Sequence, residues 1–223
     1  MQQLAELFFN PAIVERFWGF LLRGLGMTLA LSAVIVPLGL VSGLLIAVLY
    51  SLHRRALSRA LMVYVDFFRA FPPLVLLLFL YGGVPFLGID LPLFATVALA
   101  FLLNTSSYYG EIFRAGIESI ARGQFEAARS TGLSWWKTMR WVILPQAVRN
   151  MLPDLIGNTV EVVKLTTLAS VLGFSELLNN ARNAQALTYN ATPIIAAAAL
   201  YLLLLWPLVR LVSRLEHKNI VVR

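Results

Sequence analysis

Asp66, Arg69, Glu111, Glu161 and Lys164 carry formal charge within or beside long apolar stretches of this chain. A charge at mid-membrane depth costs roughly 2.5–3.5 kcal/mol on insertion scales, so such groups face a bundle interior or a wet cavity. Asp66 and Arg69 are three residues apart, as are Glu161 and Lys164, which lets each pair meet along one helix face. Two readings are open: self-neutralised pairs that let helices pack, or a polar midplane cavity that grips a zwitterion. In the second, the Arg69 guanidinium takes an α-carboxylate in bidentate fashion. Glu111, Glu161 or Asp66 takes the α-amino group. Asn104, Thr105, Ser106, Ser107 and Tyr108 supply neutral hydrogen-bonding groups on the segment that carries Glu111. The candidate substrate-binding set is therefore Arg69, Asn104, Tyr108, Glu111, Glu161 and Lys164.

A second constellation is "EAARSTGLSWWKTMRWVILP", the most polar long segment of the chain. Gln124, Glu126, Ala127, Ala128 and Arg129 are helix formers, and Gly132 is the expected C-cap. Ala127 and Ala128 are small enough to let another protein approach closely. Ser134 caps a second, amphipathic helix. Trp135, Met139 and Val142 at i, i+4 and i+7 form its apolar face. Trp136, Trp141, Lys137 and Arg140 suit lipid headgroups, and Pro145 is expected to end the helix. The segment reads either as an interfacial helical hairpin or as a docking helix for a soluble partner.

The elements that must position these groups are set by composition. Of 223 residues 59% are hydrophobic and 13% charged, with a mean hydropathy of +0.78; soluble domains carry about a quarter charged residues. Apolar runs long enough for a spanning helix cover roughly 25–50, 57–80, 91–113, 151–173 and 191–212. They are continuous rather than alternating, which favours helices over a barrel. Residues 1–20, with Glu6, Glu15 and Arg16, read as an interfacial amphipathic segment rather than a cleaved signal peptide. Arg54, Arg55 and Arg59, then Arg114 to Arg149, then Arg210 to Arg223 gather the positive charge on alternate connections. This predicts the N-terminus outside, the C-terminus in the cytoplasm, and a cytoplasmic loop over about 114–150. The formal charge of +7 is thus a topology signal, and nucleic-acid binding is the poorer reading. Gly39 and Gly43 form a GxxxG pair that lets helices approach closely, and Pro37 is expected to kink the first span. The outer stretch 175–192 either lines the extracellular mouth or simply links two helices.

Other functions lack their chemistry. There is no Cys, so thiolate metal sites and disulfides are excluded. His53 and His217 lie among cytoplasmic cations, without GxSxG or metal-ligand spacing, so no catalytic or metal residue is assigned. No phosphate-cradling GxxxxGK[ST] occurs. An ion-coupled secondary carrier remains the alternative, since buried ion pairs also suit ion coupling.

Glu126-Ala127-Ala128, three residues, Gly132, nine residues, Val142, one residue and Leu144-Pro145 together resemble the EAA loop of ABC importer permeases, with Val142 where the family prefers Ile. "YGEIFRAGIESIARGQFEAARSTG", "MRWVILPQAVRNMLPDL" and "FRAFPPLVLLLFLYGGVP" resemble the histidine and glutamine permease type, which imports polar amino acids. The resemblance implies an all-α polytopic membrane protein of the type I ABC importer permease kind. It would be one permease domain over 1–223, with five transmembrane helices, an N-terminal interfacial helix and a cytoplasmic coupling helix. Glu126, Ala127 and Gly132 would carry the ATPase contact, within a coupling set that includes Ala128, Leu144 and Pro145.

ATP and Mg would be bound by a cytoplasmic ABC ATPase dimer, leaving this chain non-catalytic. A second permease copy or a sister permease, an extracytoplasmic solute-binding protein and membrane lipid complete the implied partners. The location would be the bacterial cytoplasmic (inner) membrane. That subfamily usually reads Phe-Arg-Gly-Thr-Pro where this chain has Phe68-Arg69-Ala70-Phe71-Pro72. It has Lys-Asp where this chain has Lys164-Leu165, which argues either against a strongly cationic cargo side chain being read by this subunit or for a partner permease that holds the substrate.

Overall fold

In lipid every backbone N–H and C=O must find its partner within the protein, so the apolar runs fold as helices. The structure, a computed structural model, describes residues 8–52 and 54–221, with side chains as far as 215. His53 and residues 1–7 of the expected interfacial segment lie outside the described residues, as does the side chain of His217. The main helices are α1 (Pro11–Tyr50), α2 (Arg55–Ala70), α3 (Pro73–Gly83), α4 (Leu93–Glu118), α5 (Arg122–Ser130), α6 (Trp135–Thr138), α7 (Leu144–Leu165), α8 (Leu177–Thr188) and α9 (Thr192–Val221). A π-helical turn, Met139–Ile143, joins α6 to α7, and a 3-10 turn, Thr166–Leu172, follows α7.

Among the described residues, three stretches are long and apolar enough to cross a membrane: Pro11–Tyr50, Trp135–Leu172 and Thr192–Leu215. The broken pair Arg55–Ala70 and Pro73–Leu87 makes a fourth if it is counted as one span. α4 has 26 residues, but its run of Asn104, Thr105, Ser106 and Ser107 lowers its apolarity. Three expectations change. The N-terminal residues from Pro11 onward are not a separate interfacial segment but the start of the 40-residue α1, which continues through Pro37. The second expected span is broken at Phe71–Pro72, where Phe71 is extended (φ −77, ψ 124); the residue before a proline avoids the α region. Pro145 does not end a helix, since it lies in the first turn of α7.

The chain forms two compact units, each assembled from separated segments. The first comprises residues up to Val36, Pro73–Phe101 and Val160–Val209. Its core holds Leu21, Leu177, Ala181, Ala197 and Leu200. α1 meets the start of α8 at Gly24, where a Cβ would lie 2.9 Å from the Leu177 Cα. Glu176, fully buried, caps α8: its carboxylate accepts from Leu178 N at 2.8 Å, Asn179 N at 2.6 Å and the Tyr201 hydroxyl at 2.8 Å. Burial nonetheless raises the Glu176 carboxyl above its ordinary value of 4.5, outweighing these donors.

The folded chain therefore keeps this proton to higher pH than the unfolded chain. Its contribution to stability is complete at low pH and is lost as pH rises through the raised value. Glu176→Ala, which removes the cap and one hydrogen-bond partner of Tyr201, is expected to cost about 2–4 kcal/mol. Melting curves in detergent check this, and Glu176→Gln should flatten the decline in melting temperature above the ordinary carboxyl range.

The second unit comprises Pro37–Pro72, Leu102–Thr159 and residues from Arg210. Here α1 crosses α4 at the GxxxG pair. A Cβ on Gly43 would lie 2.5 Å from the Tyr109 Cβ and 2.8 Å from Gly110 N, and one on Gly39 would lie 2.9 Å from Thr105 Cγ2. Tyr109 is fully buried and shares a 2.7 Å hydrogen bond with Thr159 Oγ1. The pair is thus a packing contact. Because backbone blocks the way, Gly43→Val is expected to destabilise by about 3 kcal/mol or more. Gly26→Ala, where a Cβ meets nothing within 4 Å, should leave the melting temperature unchanged or raise it.

Candidate functional site

All charged groups of the candidate cavity come from the second unit. α2 delivers Asp66 and Arg69 in its last two turns, and α4 delivers Glu111 and Arg114. A cavity of ≈260 Å3 is lined by these four with Ile46, Tyr50 and neighbouring apolar side chains. Arg69 does not pair with Asp66. Its Nη1 lies 3.9 Å from Glu111 Oε1, and its guanidinium sits 5.5 Å from the centre of the Tyr108 ring. The ring face and the partly buried Glu111 attract the cation more than the exposed Asp66 does. Arg69 donates no hydrogen bond among the described residues, so its fork, 40% exposed, is held by this long ion pair and the ring alone.

Glu111 is engaged by a residue absent from the expected set. Arg114 donates from Nε to Oε2 at 2.9 Å and from Nη2 to Oε1 at 2.6 Å, and from Nη1 to Glu118 Oε2 at 2.7 Å. The spacing Glu111, Arg114, Glu118 is i, i+3, i+7, a pattern visible in the sequence as neighbours on one helix face. Asp66 has no ion pair among the described residues. Of the acids in the cavity, it is the one free to meet an ammonium.

Asn104 makes a structural hydrogen bond of its own. Its Nδ2 donates to the Phe68 carbonyl at 2.8 Å, and it is buried. The Phe68 carbonyl would normally accept from the residue four places on. That residue is Pro72, which has no N–H, so Asn104 stands in for the missing donor. Ser106 bonds the Tyr64 hydroxyl at 2.7 Å, and Ser107 bonds the Asn104 carbonyl at 2.6 Å. Tyr108 alone of this polar run is open. Glu161 and Lys164 belong to the first unit, where Lys164 Nζ donates to Glu161 Oε1 at 2.6 Å and both are exposed. They form the expected i, i+3 pair and do not line this cavity.

The polar insert also lies in the second unit. α5 ends at Thr131, whose N–H bonds the Ala127 and Arg129 carbonyls. Gly132 follows at φ +83, a left-handed conformation that glycine adopts without strain. Ser134 Oγ accepts from Lys137 N at 3.4 Å, the expected cap. Glu126 and Ala127 are exposed, whereas Ala128 is 8% exposed and turned into the fold. Ala128 therefore packs rather than offering contact.

The apolar face of the next helix is shifted from the expected one. Met139 and Ile143 are buried, not Val142. The π turn adds a residue to the helical repeat, with Leu144 N bonding the Met139 carbonyl. The widened turn directly precedes Pro145, which cannot donate to the carbonyl four residues back and would clash with it. Gln146 Nε2 takes up the Val142 carbonyl at 2.8 Å. Beneath the insert is a cavity of ≈720 Å3, lined by Tyr50, Arg114, Glu118, Glu126, Trp135 and Met139 among others.

Comparison with known proteins agrees with this architecture. Residues 12–221 match the family described as binding-protein-dependent transport system inner membrane component. A probable amino-acid ABC transporter permease protein of Bacillus subtilis, YckA, is 38% identical over 79% of this chain and 78% of its own. A putative glutamine transport system permease protein of Rickettsia bellii, GlnP, is 34% identical over 96% of each. A crystal structure of an amino acid ABC transporter with histidines superimposes at a TM-score of 0.84, with 34% identity, over 94% of this chain and 99% of that one. The all-α fold is that of the type I ABC importer permeases, and the chain belongs to the family of binding-protein-dependent transport system inner membrane components.

Proposed function

We propose that this chain is the permease subunit of an ATP-driven importer for polar amino acids of no net charge. The observation that carries the cargo class is the ≈260 Å3 cavity with an Arg69 guanidinium that donates no hydrogen bond among the described residues and an unpaired Asp66 carboxylate. Arg69 takes the cargo α-carboxylate as a fork. Asp66 takes the α-ammonium, because Glu111 is already held by Arg114. Tyr108 covers the guanidinium and leaves one edge for the ligand. The glutamine and amino-acid names of the relatives support an amino-acid cargo.

Coupling runs through α5. Glu126, Ala127 and Gly132 meet a cytoplasmic ATPase, which binds ATP and Mg, with Leu144 and Pro145 at the rewound end of the insert. Two permease subunits and two ATPases form the importer, and an extracytoplasmic solute-binding protein brings the cargo. The subunit crosses the cytoplasmic membrane five times with its C-terminus inside. ATP binding favours the outward-open state through contacts that the inward-open state lacks. The test is purification from the native membrane, then uptake of labelled neutral amino acids into liposomes. Co-purified ATPase and uptake that needs ATP are expected. Uptake driven by an ion gradient without ATPase would replace this reading with a secondary carrier.

A further inference from the structure

α8 shows two unlike faces within the first unit. Leu177, Asn180, Ala181 and Ala184 are buried, and Asn180 Nδ2 donates to the Phe20 carbonyl at 2.8 Å. On another face, Asn179, Arg182, Asn183 and Ala186 recur at i, i+3, i+4 and i+7, one stripe of a helix. This stripe and Ser170 and Val171 of the 3-10 turn line a cavity of ≈410 Å3, within the size range of small-molecule sites.

None of the four polar side chains in it, Ser170, Asn179, Arg182 and Asn183, has a hydrogen-bond or ion-pair partner among the described residues. Asn179 is only 9% exposed and Ser170 8%, while Arg182 and Asn183 are exposed, and the polar atoms of all four stay open to the cavity. Nearby Glu176, by contrast, is fully engaged. No acid lines the cavity, so its charge comes from the Arg182 guanidinium.

We infer that this cavity is a second amino-acid subsite, in which Arg182 holds the cargo carboxylate and Asn179 and Asn183 accept from its ammonium or amide. The chemistry is that of a carboxylate beside neutral hydrogen-bonding groups. A guanidinium matches a carboxylate as a fork, and carboxamide oxygens accept N–H donors. A cationic side chain would meet Arg182 with no acid to offset it. The inference rests on the amino-acid reading of the cargo but not on the Arg69 cavity.

The chain has no cysteine, so one can be introduced at Ala186, a cavity-lining residue without a polar role. The complete importer carrying Ala186→Cys is placed in lipid nanodiscs without solute-binding protein and labelled with a charged methanethiosulfonate. The probe is an equimolar mixture of neutral polar L-amino acids, and the control is the corresponding amino alcohols, which lack the carboxylate. At ~10 mM probe and an affinity of about 1 mM, labelling should slow about tenfold, as 1 + [L]/Kd. The amino alcohols should give no protection. Arg182→Gln should abolish the protection, and Arg69→Ala should leave it intact.

The inference is overturned if the cysteine labels equally fast with and without amino acids, or does not label in the assembled complex. Protection that survives Arg182→Gln, is lost in Arg69→Ala, or requires the binding protein also overturns it. Protection that depends on Arg182 in a complex lacking ATP-driven uptake would sink the import reading and leave this subsite standing.

Discussion

Arg69→Ala is expected to abolish uptake while the ATPase stays docked. The guanidinium contributes little to the fold: it makes one ion pair at 3.9 Å and rests against one ring. A partly exposed pair of that length is worth about 0–1 kcal/mol. Its removal leaves Glu111 held by Arg114, so the cavity wall keeps its shape. In the proposed binding mode, however, the cargo carboxylate loses its bidentate partner. Truncating one side of such a charged pair costs roughly 2–5 kcal/mol, about thirty-fold to several-thousand-fold in transport. Initial uptake rates in liposomes, with ATPase content measured in the same preparation, check this. Arg69→Lys should recover only part of the rate, because it keeps the charge and loses the fork. Normal uptake by Arg69→Ala would remove this cavity from the transport path.

The second large effect is expected at the insert. Glu126→Arg and Gly132→Pro should each lose the co-purified ATPase while the helical spectrum of the permease is preserved. Glu126 is exposed and forms no ion pair among the described residues, so its reversal leaves the fold within about 0.5 kcal/mol. At the centre of a docking surface the same change reaches about 2–4 kcal/mol, roughly thirty-fold to a thousand-fold in affinity. Gly132 acts through backbone geometry. Proline fixes φ near −65°, which is incompatible with +83, and it deletes the N–H that bonds the Arg129 carbonyl at 3.0 Å. A Cβ at this position meets nothing within 4 Å. Gly132→Ala should therefore be milder, costing about 1–2 kcal/mol of left-handed strain. Retention of the ATPase by Glu126→Arg would leave the insert as an interfacial hairpin.

Features governed by a few neighbouring residues were legible before any coordinates. Gly132 stops α5 because the chain must turn left-handed there, and Ser134 caps the next helix through its own hydroxyl. The Glu161–Lys164 pair follows from spacing alone. The Arg114 clamp on Glu111 also follows from spacing, although Arg114 lies just past the expected span 91–113. Asn104 could not be read. Its role depends on α4 passing the place where Pro72 fails to donate, some thirty residues away in sequence. The π turn before Pro145 moved the buried position from Val142 to Ile143, and a regular 3.6-residue period cannot anticipate that shift. The inward turn of Ala128 likewise depends on what α5 packs against.

The sequence by itself determined that this chain is helical and lives in a membrane. Apolar run length, charge asymmetry and turn chemistry act locally and leave their mark residue by residue. Only the tertiary structure decided which charges are engaged and which are free. Arg114 closes on Glu111, Arg69 lies beside Tyr108, and Asn179, Arg182 and Asn183 of the α8 stripe have no partner among the described residues. Those outcomes depend on distances and dielectric between segments far apart in the chain, because the energy of two charges varies inversely with both. Spacing along one helix cannot supply either quantity.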